Sequence, residues 1–354
     1  MKKAYLILEN GKTFQGFSCG AEGEIRAEIV FSTAMTGYLE ALTDKSFYGQ
    51  AVVQTFPLIG NYGVIPADFE ADRLTPAAYI MRELCDLPSN FRCQGKLDDL
   101  LREAGVVGLC GIDTRTLTRI LREHGTMNCL ITSDPAKADL AALKDLQLEG
   151  AVEAVSCKQM QTFAAENARH HVVMLDYGYK RSIVENLLKR DCRVTVLPCT
   201  STAEEVLALK PDGLMLSNGP GDPTLNPGMV EELKKLLPHK IPTFGICLGY
   251  QLLALANGAS SVKMKYGHRG ENQPVKDCRT GRIYISAQSH GYAIDPATLD
   301  PQLCEQMFVN VNDGTCEGVL YHHMPAFGVQ FHPEACGGPL DTEFLFDRFT
   351  AMMA

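Results

Sequence analysis

The sequence runs to 354 residues, 45% of them hydrophobic, which is more chain than one apolar core ordinarily holds, so two domains are expected. Its 33 basic and 42 acidic side chains leave a formal charge of -9 with no lysine- or arginine-rich block, which gives nucleic acid no electrostatic footprint. Thirteen cysteines, an odd number without a single C-x-x-C pair, point to neither a disulfide framework nor a zinc site, and no metal is expected.

The chain opens on MKKAYLILENGK, whose apolar run is cut by Glu9. No run approaches the ~18 residues that span a bilayer. A cytoplasmic protein without a membrane partner is expected. Residues 1–152 mix short strands (YLILENG, AVVQTFPL) with many glycines and one clear helix, RTLTRILREHG, and read as a separate α+β domain. GKT at 11–13 resembles the end of a phosphate loop, but Leu6 stands where that loop needs its first glycine. The segment 153–169, without strong strand character, is the expected linker.

From residue 170 to 354 the pattern alternates. HVVMLDYG, CRVTVLPC, DGLMLSNG and IPTFGIC are strands; YKRSIVENLLKR, TAEEVLALK, MVEELKKLL and YQLLALANG are helices. Near-continuous apolar strands between short helices imply a doubly wound, mostly parallel sheet covered on both faces. Shorter segments such as GRIYISAQSHGYAI and FGVQFHPEA then suggest antiparallel additions, before a last helix from about Asp341. Gly219-Pro220-Gly221 imitates a dinucleotide fingerprint, but Pro223 and Pro227 keep a helix from opening at once and the third glycine is missing.

One junction concentrates chemistry. In FGICLGYQLL, Cys247 stands between Gly245 and Gly249 where a strand gives way to a helix. Paired glycines permit the sharp, strained turn that lifts a nucleophile to a helix start, where the positive end of the dipole favours the anionic form of a thiol. A buried core cysteine is the plain alternative, and the paired glycines argue against it. The nucleophile needs a base. His332 closes a strand-like run and Glu334 follows two positions on, so on an extended chain both project to one face. Cys247, His332 and Glu334 therefore compose a Cys-His-Glu triad. The N–H of Leu248 and the bare backbone of NGPG (218–221) are the expected oxyanion donors.

SNGPGDP, FGICLGYQLL and VQFHPEA together resemble the triad-type class I glutamine amidotransferases. TAMTGYLEALTDKSFYGQ, TFPLIGNYG and GIDTRTLTRILREHG resemble the N-terminal domain of the small-subunit family of carbamoyl phosphate synthetase, so the likeness covers nearly the whole chain. It implies Cys247 as nucleophile, His332 as acid and base, and Glu334 as its orienter. It also implies L-glutamine held by Ser46, Gly219, Gly221, Leu248, Gln251, Ser289, Gly291 and Tyr292. A large-subunit partner would carry ATP and Mg, with no cofactor in this chain. The sequence departs from the family pattern at Ser289, where asparagine is usual, and at GHRGENQPV, which replaces a more histidine-rich stretch. Two other readings stand beside this one: the amidotransferase of an anthranilate or GMP synthase, and a catalytically dead regulatory subunit.

Overall fold

The computed structural model describes residues 2–335 and 337–353, which form two compact units, 1–148 and 149–354. In the first unit the strands are β1 (Lys3–Leu8), β2 (Thr13–Gly20), β3 (Ile25–Ser32), β4 (Ala51–Gln54), β5 (Leu58–Ile59), β6 (Ala78–Ile80), β7 (Glu83–Leu84), β8 (Val107–Cys110) and β9 (Met127–Thr132). Seven of them close into a barrel in the order β1-β2-β8-β6-β4-β3-β9, while β5 and β7 pair with each other. The expected α+β character holds. Barrel closure was not legible, because strands of three to eight residues carry no mark of which edges meet.

The helices here are α1 (Tyr38–Thr43), α2 (Leu97–Glu103), α3 (Thr114–His124) and α4 (Leu140–Lys144). The expected helix is α3. Asp113 caps it by accepting from the Thr116 N–H at 3.0 Å, and Gly125, at φ 98°, ends it. Leu117, Ile120 and Leu121 supply its buried stripe.

The second unit holds α5 (Ala151–Val155), β10 (Gln161–Ala164), β11 (His170–Asp176), α6 (Arg181–Leu188), β12 (Cys192–Pro198), α7 (Ala203–Ala208), β13 (Gly213–Leu216), α8 (Pro227–Leu236), β14 (Thr243–Ile246) and α9 (Leu248–Ala256). After them come β15 (Ser261–Asp277), β16 (Ile283–Ile294), β17 (Cys304–Asn310), β18 (Cys316–Tyr321), β19 (Ala326–Val329) and α10 (Phe344–Ala351). One ten-stranded sheet runs β10-β12-β11-β13-β14-β19-β18-β16-β15-β17. Its centre, β12-β11-β13-β14-β19, is parallel, and β18, β16, β15 and β17 add antiparallel strands. Alternate residues feed two cores. Val173, Leu175, Leu214 and Leu216 pack with α8 and α9, whereas Val172, Met174 and Met215 pack with α6 and α10. Burial on both faces is why these strands read as unbroken apolar runs.

The segment expected as a linker is folded into this unit. Strand β10 pairs antiparallel with β12, and the Cys157 N–H donates to Asp176 Oδ2 at 2.7 Å. An edge strand bonds on one side only, and β10 leaves Gln161, Thr162 and Ala164 exposed, so it lacks the apolar run by which the other strands were read.

Candidate active site

The elbow is built by exclusion of side chains. A Cβ on Gly245 would stand 2.8 Å from Tyr250 N, and one on Gly249 would stand 2.2 Å from Leu216 O, so β14, α9 and β13 pack backbone to backbone on both sides of Cys247. Cys247 itself sits at φ 53°, ψ −108°, a conformation that side chains other than glycine adopt only under constraint. Two bonds impose it: the Cys247 N–H donates to Val329 O at 2.8 Å, and the Gly249 N–H donates to Ser217 O at 3.0 Å. With Gly249 engaged, Leu248 N–H belongs to the open first turn of α9.

The triad assembles from two sheet strands. Cys247 follows β14, and His332 and Glu334 follow its parallel neighbour β19. All three are buried, at 2%, 1% and 2% exposure. His332 Nδ1 lies 2.6 Å from Glu334 Oε1, and the His332 N–H donates to Ala287 O at 2.9 Å, fixing the ring's base. Nε2 is buried without a hydrogen bond of its own, the nitrogen left for proton transfer. Burial and the Lys180 ammonium oppose charge on His332, but Glu334 and Cys247 outweigh them and raise its pKa to about 10. Burial likewise opposes the Glu334 carboxylate, yet His332 and Lys180 hold it down at about 2. The imidazole is thereby made a strong acceptor for the proton of a neighbouring thiol.

Two participants were missed in the sequence. Gln330, fully buried, donates through Nε2 to Cys247 Sγ at 3.6 Å. Its signal was the two-residue spacing it shares with His332 and Glu334, although β19 ends at Val329 and the three lie on the bend and turn beyond it. Lys180 Nζ lies 3.3 Å from Glu334 Oε1 with the Lys180 side chain 9% exposed. It precedes α6, and nothing local marks it as different from the lysines around it.

The other expected contacts divide. Gly219 is wedged against Tyr177 O and Leu248 Cδ2, where a Cβ would come within 2.2 and 2.8 Å, so the 217–221 loop abuts the elbow; Gly221, at φ 87°, makes the turn beyond it. Gln251 spends Nε2 on Tyr292 O at 2.8 Å and Gln330 Oε1 at 2.9 Å, tying α9 to β16. Ser289 O lies 3.9 Å from Cys247 Sγ, and Ser289 Oγ is buried without a hydrogen-bond partner. Gly291 lies beside Arg269, whose Nη2 would be 2.9 Å from an added Cβ. Ser46 lies in the first unit, where its N–H donates to Asp44 Oδ1 at 2.8 Å. Among the described residues, no helix is long and apolar enough to cross a membrane.

A strained cysteine at a strand-to-helix elbow, a buried histidine and carboxylate, and a glycine loop beside it stand on a doubly wound sheet in an arrangement suited to cysteine-dependent acyl transfer. Residues 173–352 match the family described as glutamine amidotransferase class-I, and residues 6–131 match the carbamoyl-phosphate synthase small chain, CPSase domain. The carbamoyl phosphate synthase small chain of Listeria monocytogenes is 46% identical over 356 residues, covering 100% of this chain and 97% of that one. Those of Symbiobacterium thermophilum (47%, covering 98% and 97%) and Clostridium perfringens (48%, covering 98% and 98%) are similar in the same way. The chain belongs to the carbamoyl-phosphate synthase small-chain family and carries that family's glutamine amidotransferase domain: it is a glutaminase subunit.

Proposed function

We propose that this chain hydrolyses the side-chain amide of L-glutamine on Cys247 and passes the ammonia to a large, ATP-using subunit that forms carbamoyl phosphate in the cytoplasm. His332 takes the Sγ proton, and sulfur attacks the amide carbonyl. Leu248 N–H and the backbone at Gly219 face the oxyanion. His332 returns its proton to the leaving nitrogen, so that the C–N bond breaks, ammonia departs and a glutamyl thioester remains. Water, deprotonated by His332, then cleaves the thioester to glutamate. Glu334 orients the ring throughout. Gly219, Gly221, Leu248, Gln251, Ser289, Gly291 and Tyr292 of the second unit are assigned to hold glutamine. The absence of any phosphate-loop motif in the sequence supports placing ATP and Mg in the partner.

The observation that carries this reading is the strained Cys247 held against a buried His332–Glu334 pair. The N-terminal family match, which an anthranilate or GMP synthase amidotransferase has no reason to share, favours carbamoyl phosphate as the product. In the complex with the large subunit, Cys247→Ala is expected to abolish glutamine-dependent synthesis and to keep synthesis from added ammonia. Retained use of glutamine would remove Cys247 from the chemistry. Loss of both activities would make the cysteine a support of the assembly.

A further inference from the structure

Two buried histidines take no part in the chemistry above. His268 of β15 and His290 of β16 are direct cross-strand partners, their rings edge to face with centroids 5.0 Å apart. Glu317 of β18, with its side chain fully buried, faces them. One ligating atom from each of His268, His290 and Glu317 lies within 4.8 Å of the others.

The hydrogen-bond directions leave a place among them for a cation. His290 Nδ1 lies 2.8 Å from Tyr292 O, which can only accept, so Nδ1 carries the proton and Nε2 presents a lone pair. Nε2 faces Gln288 Oε1 at 3.1 Å. The orientation of Gln288 is set by its neighbours: Ser286 Oγ donates to Gln273 O at 2.9 Å and must therefore accept from Gln288 Nε2, 3.2 Å away. Two acceptors thus confront each other. Independently, Glu317 Oε2 is buried with no partner at all, while Oε1 lies 3.2 Å from His268 Nδ1 and accepts from Asn310 Nδ2 at 3.1 Å, an amide the ion would displace from its place 3.4 Å from His268 Nδ1.

We propose that His268 Nδ1, His290 Nε2 and Glu317, completed by Gln288 Oε1, bind one divalent transition ion of the zinc type. Two imidazoles and a carboxylate are a zinc donor set, and tetrahedral bonds of about 2.0–2.1 Å place ligands about 3.3–3.4 Å apart; the His268–Glu317 and His290–Gln288 pairs are at 3.2 and 3.1 Å, and the set as a whole, within 4.8 Å, would draw together on the ion. The outer bonds are those a metal-bound histidine uses. His268 Nε2 lies 2.9 Å from Asp313 Oδ2, and His290 Nδ1 donates to a backbone carbonyl. Binding the ion would displace the proton shared between His268 Nδ1 and Glu317 Oε1. Because His290 stands between Ser289 and Gly291, the ion would pin the strand assigned to glutamine.

The test is a binding measurement that needs no activity. The full chain, stripped with chelator, is titrated with cobalt(II). One equivalent should bind with the strong visible bands of a tetrahedral site and no sulfur-to-cobalt band, and zinc should displace it. Glu317→Gln and His268→Asn should each weaken binding by about ten- to a hundredfold, and Cys247→Ala should not change it. No bound equivalent, or binding undiminished in Glu317→Gln, overturns the site. Should the variants fail to fold, zinc-edge X-ray absorption of the wild-type chain decides: two imidazoles with oxygen support the assignment, and a sulfur shell refutes it.

Discussion

Gln330 Nε2 lies 3.6 Å from Cys247 Sγ, while Gln330 Oε1 accepts from Gln251 Nε2 at 2.9 Å. One amide thus joins the nucleophile to the helix behind it. Gln330→Leu, of similar size, removes the donor to sulfur and leaves a buried Gln251 N–H without that acceptor. A loss of stability of about 1–3 kcal/mol is expected from the orphaned donor, together with a roughly tenfold fall in glutaminase kcat. Melting and steady-state kinetics on one preparation check both. Unchanged kcat would show that the contact to sulfur is only packing.

Glu334→Gln should keep the shape of the triad but lose its charge. Turnover is expected to fall by about two to four orders of magnitude with KM little changed, the behaviour of a group that orients the base. Wild type should also exceed the variant in stability over a defined pH window. The raised His332 contributes fully below its unfolded value of 6.5 and loses that contribution as pH rises through about 10. The lowered Glu334 contributes fully above its unfolded value of 4.5 and loses that as pH falls through about 2. The difference in melting temperature should therefore peak between about pH 4.5 and 6.5 and shrink on either side. A difference that stays flat from about pH 2 to about pH 10 would contradict the pairing.

Glycines at the two ends of α9 should rank by what a methyl group meets. Gly249→Ala places a Cβ 2.2 Å from Leu216 O, which is backbone and cannot swing away, whereas Gly258, at φ 91°, has nothing within 4 Å. Gly258→Ala is expected to cost about 1–2 kcal/mol from its dihedral alone. Gly249→Ala should cost more than about 3 kcal/mol or prevent folding. Denaturant titration of both variants gives the order, and equal costs would mean that the elbow yields.

Cys247 offers a measure of the strain itself. Cys247→Gly and Cys247→Ala both remove the thiol, but only glycine is at ease at φ 53°. The glycine variant should be the more stable by about 1 kcal/mol, relief of the dihedral exceeding the added freedom of its unfolded chain. The opposite order in thermal unfolding would show that the elbow holds little strain.

Ser289 Oγ, buried and unbonded, should matter to the ligand rather than to the fold. Ser289→Ala is expected to leave the melting temperature within a degree or two while raising the glutamine KM by about fivefold to tenfold. Ser289→Asn, with an amide that both donates and accepts, should keep activity with KM unchanged or improved. An unaltered KM in Ser289→Ala would remove the hydroxyl from the substrate pocket.

What the sequence by itself determined was whatever chain-local geometry can encode. The apolar runs of β11 to β14 and the helices between them showed a parallel sheet, because burial on both faces leaves no alternation to disguise it. Cys247 between two glycines was legible because the spacing alone puts it on a strand-to-helix turn; His332 and Glu334 do meet, as their spacing suggested, but on a turn beyond the end of β19 and not on an extended strand. Gln330 shares that spacing and could have been read.

Tertiary structure decided what only strand order brings together. Closure of the N-terminal barrel rests on β1 meeting β9, and β10 is a strand only because β12 lends it a partner. Lys180 reaches Glu334 from a different βα junction, and His268, His290 and Glu317 converge from three strands with no shared motif. A local pattern fixes the direction of a side chain, but which distant side chain it meets depends on the register of a ten-stranded sheet. That register is set by the packing of whole strands and helices, and no short stretch of sequence carries it.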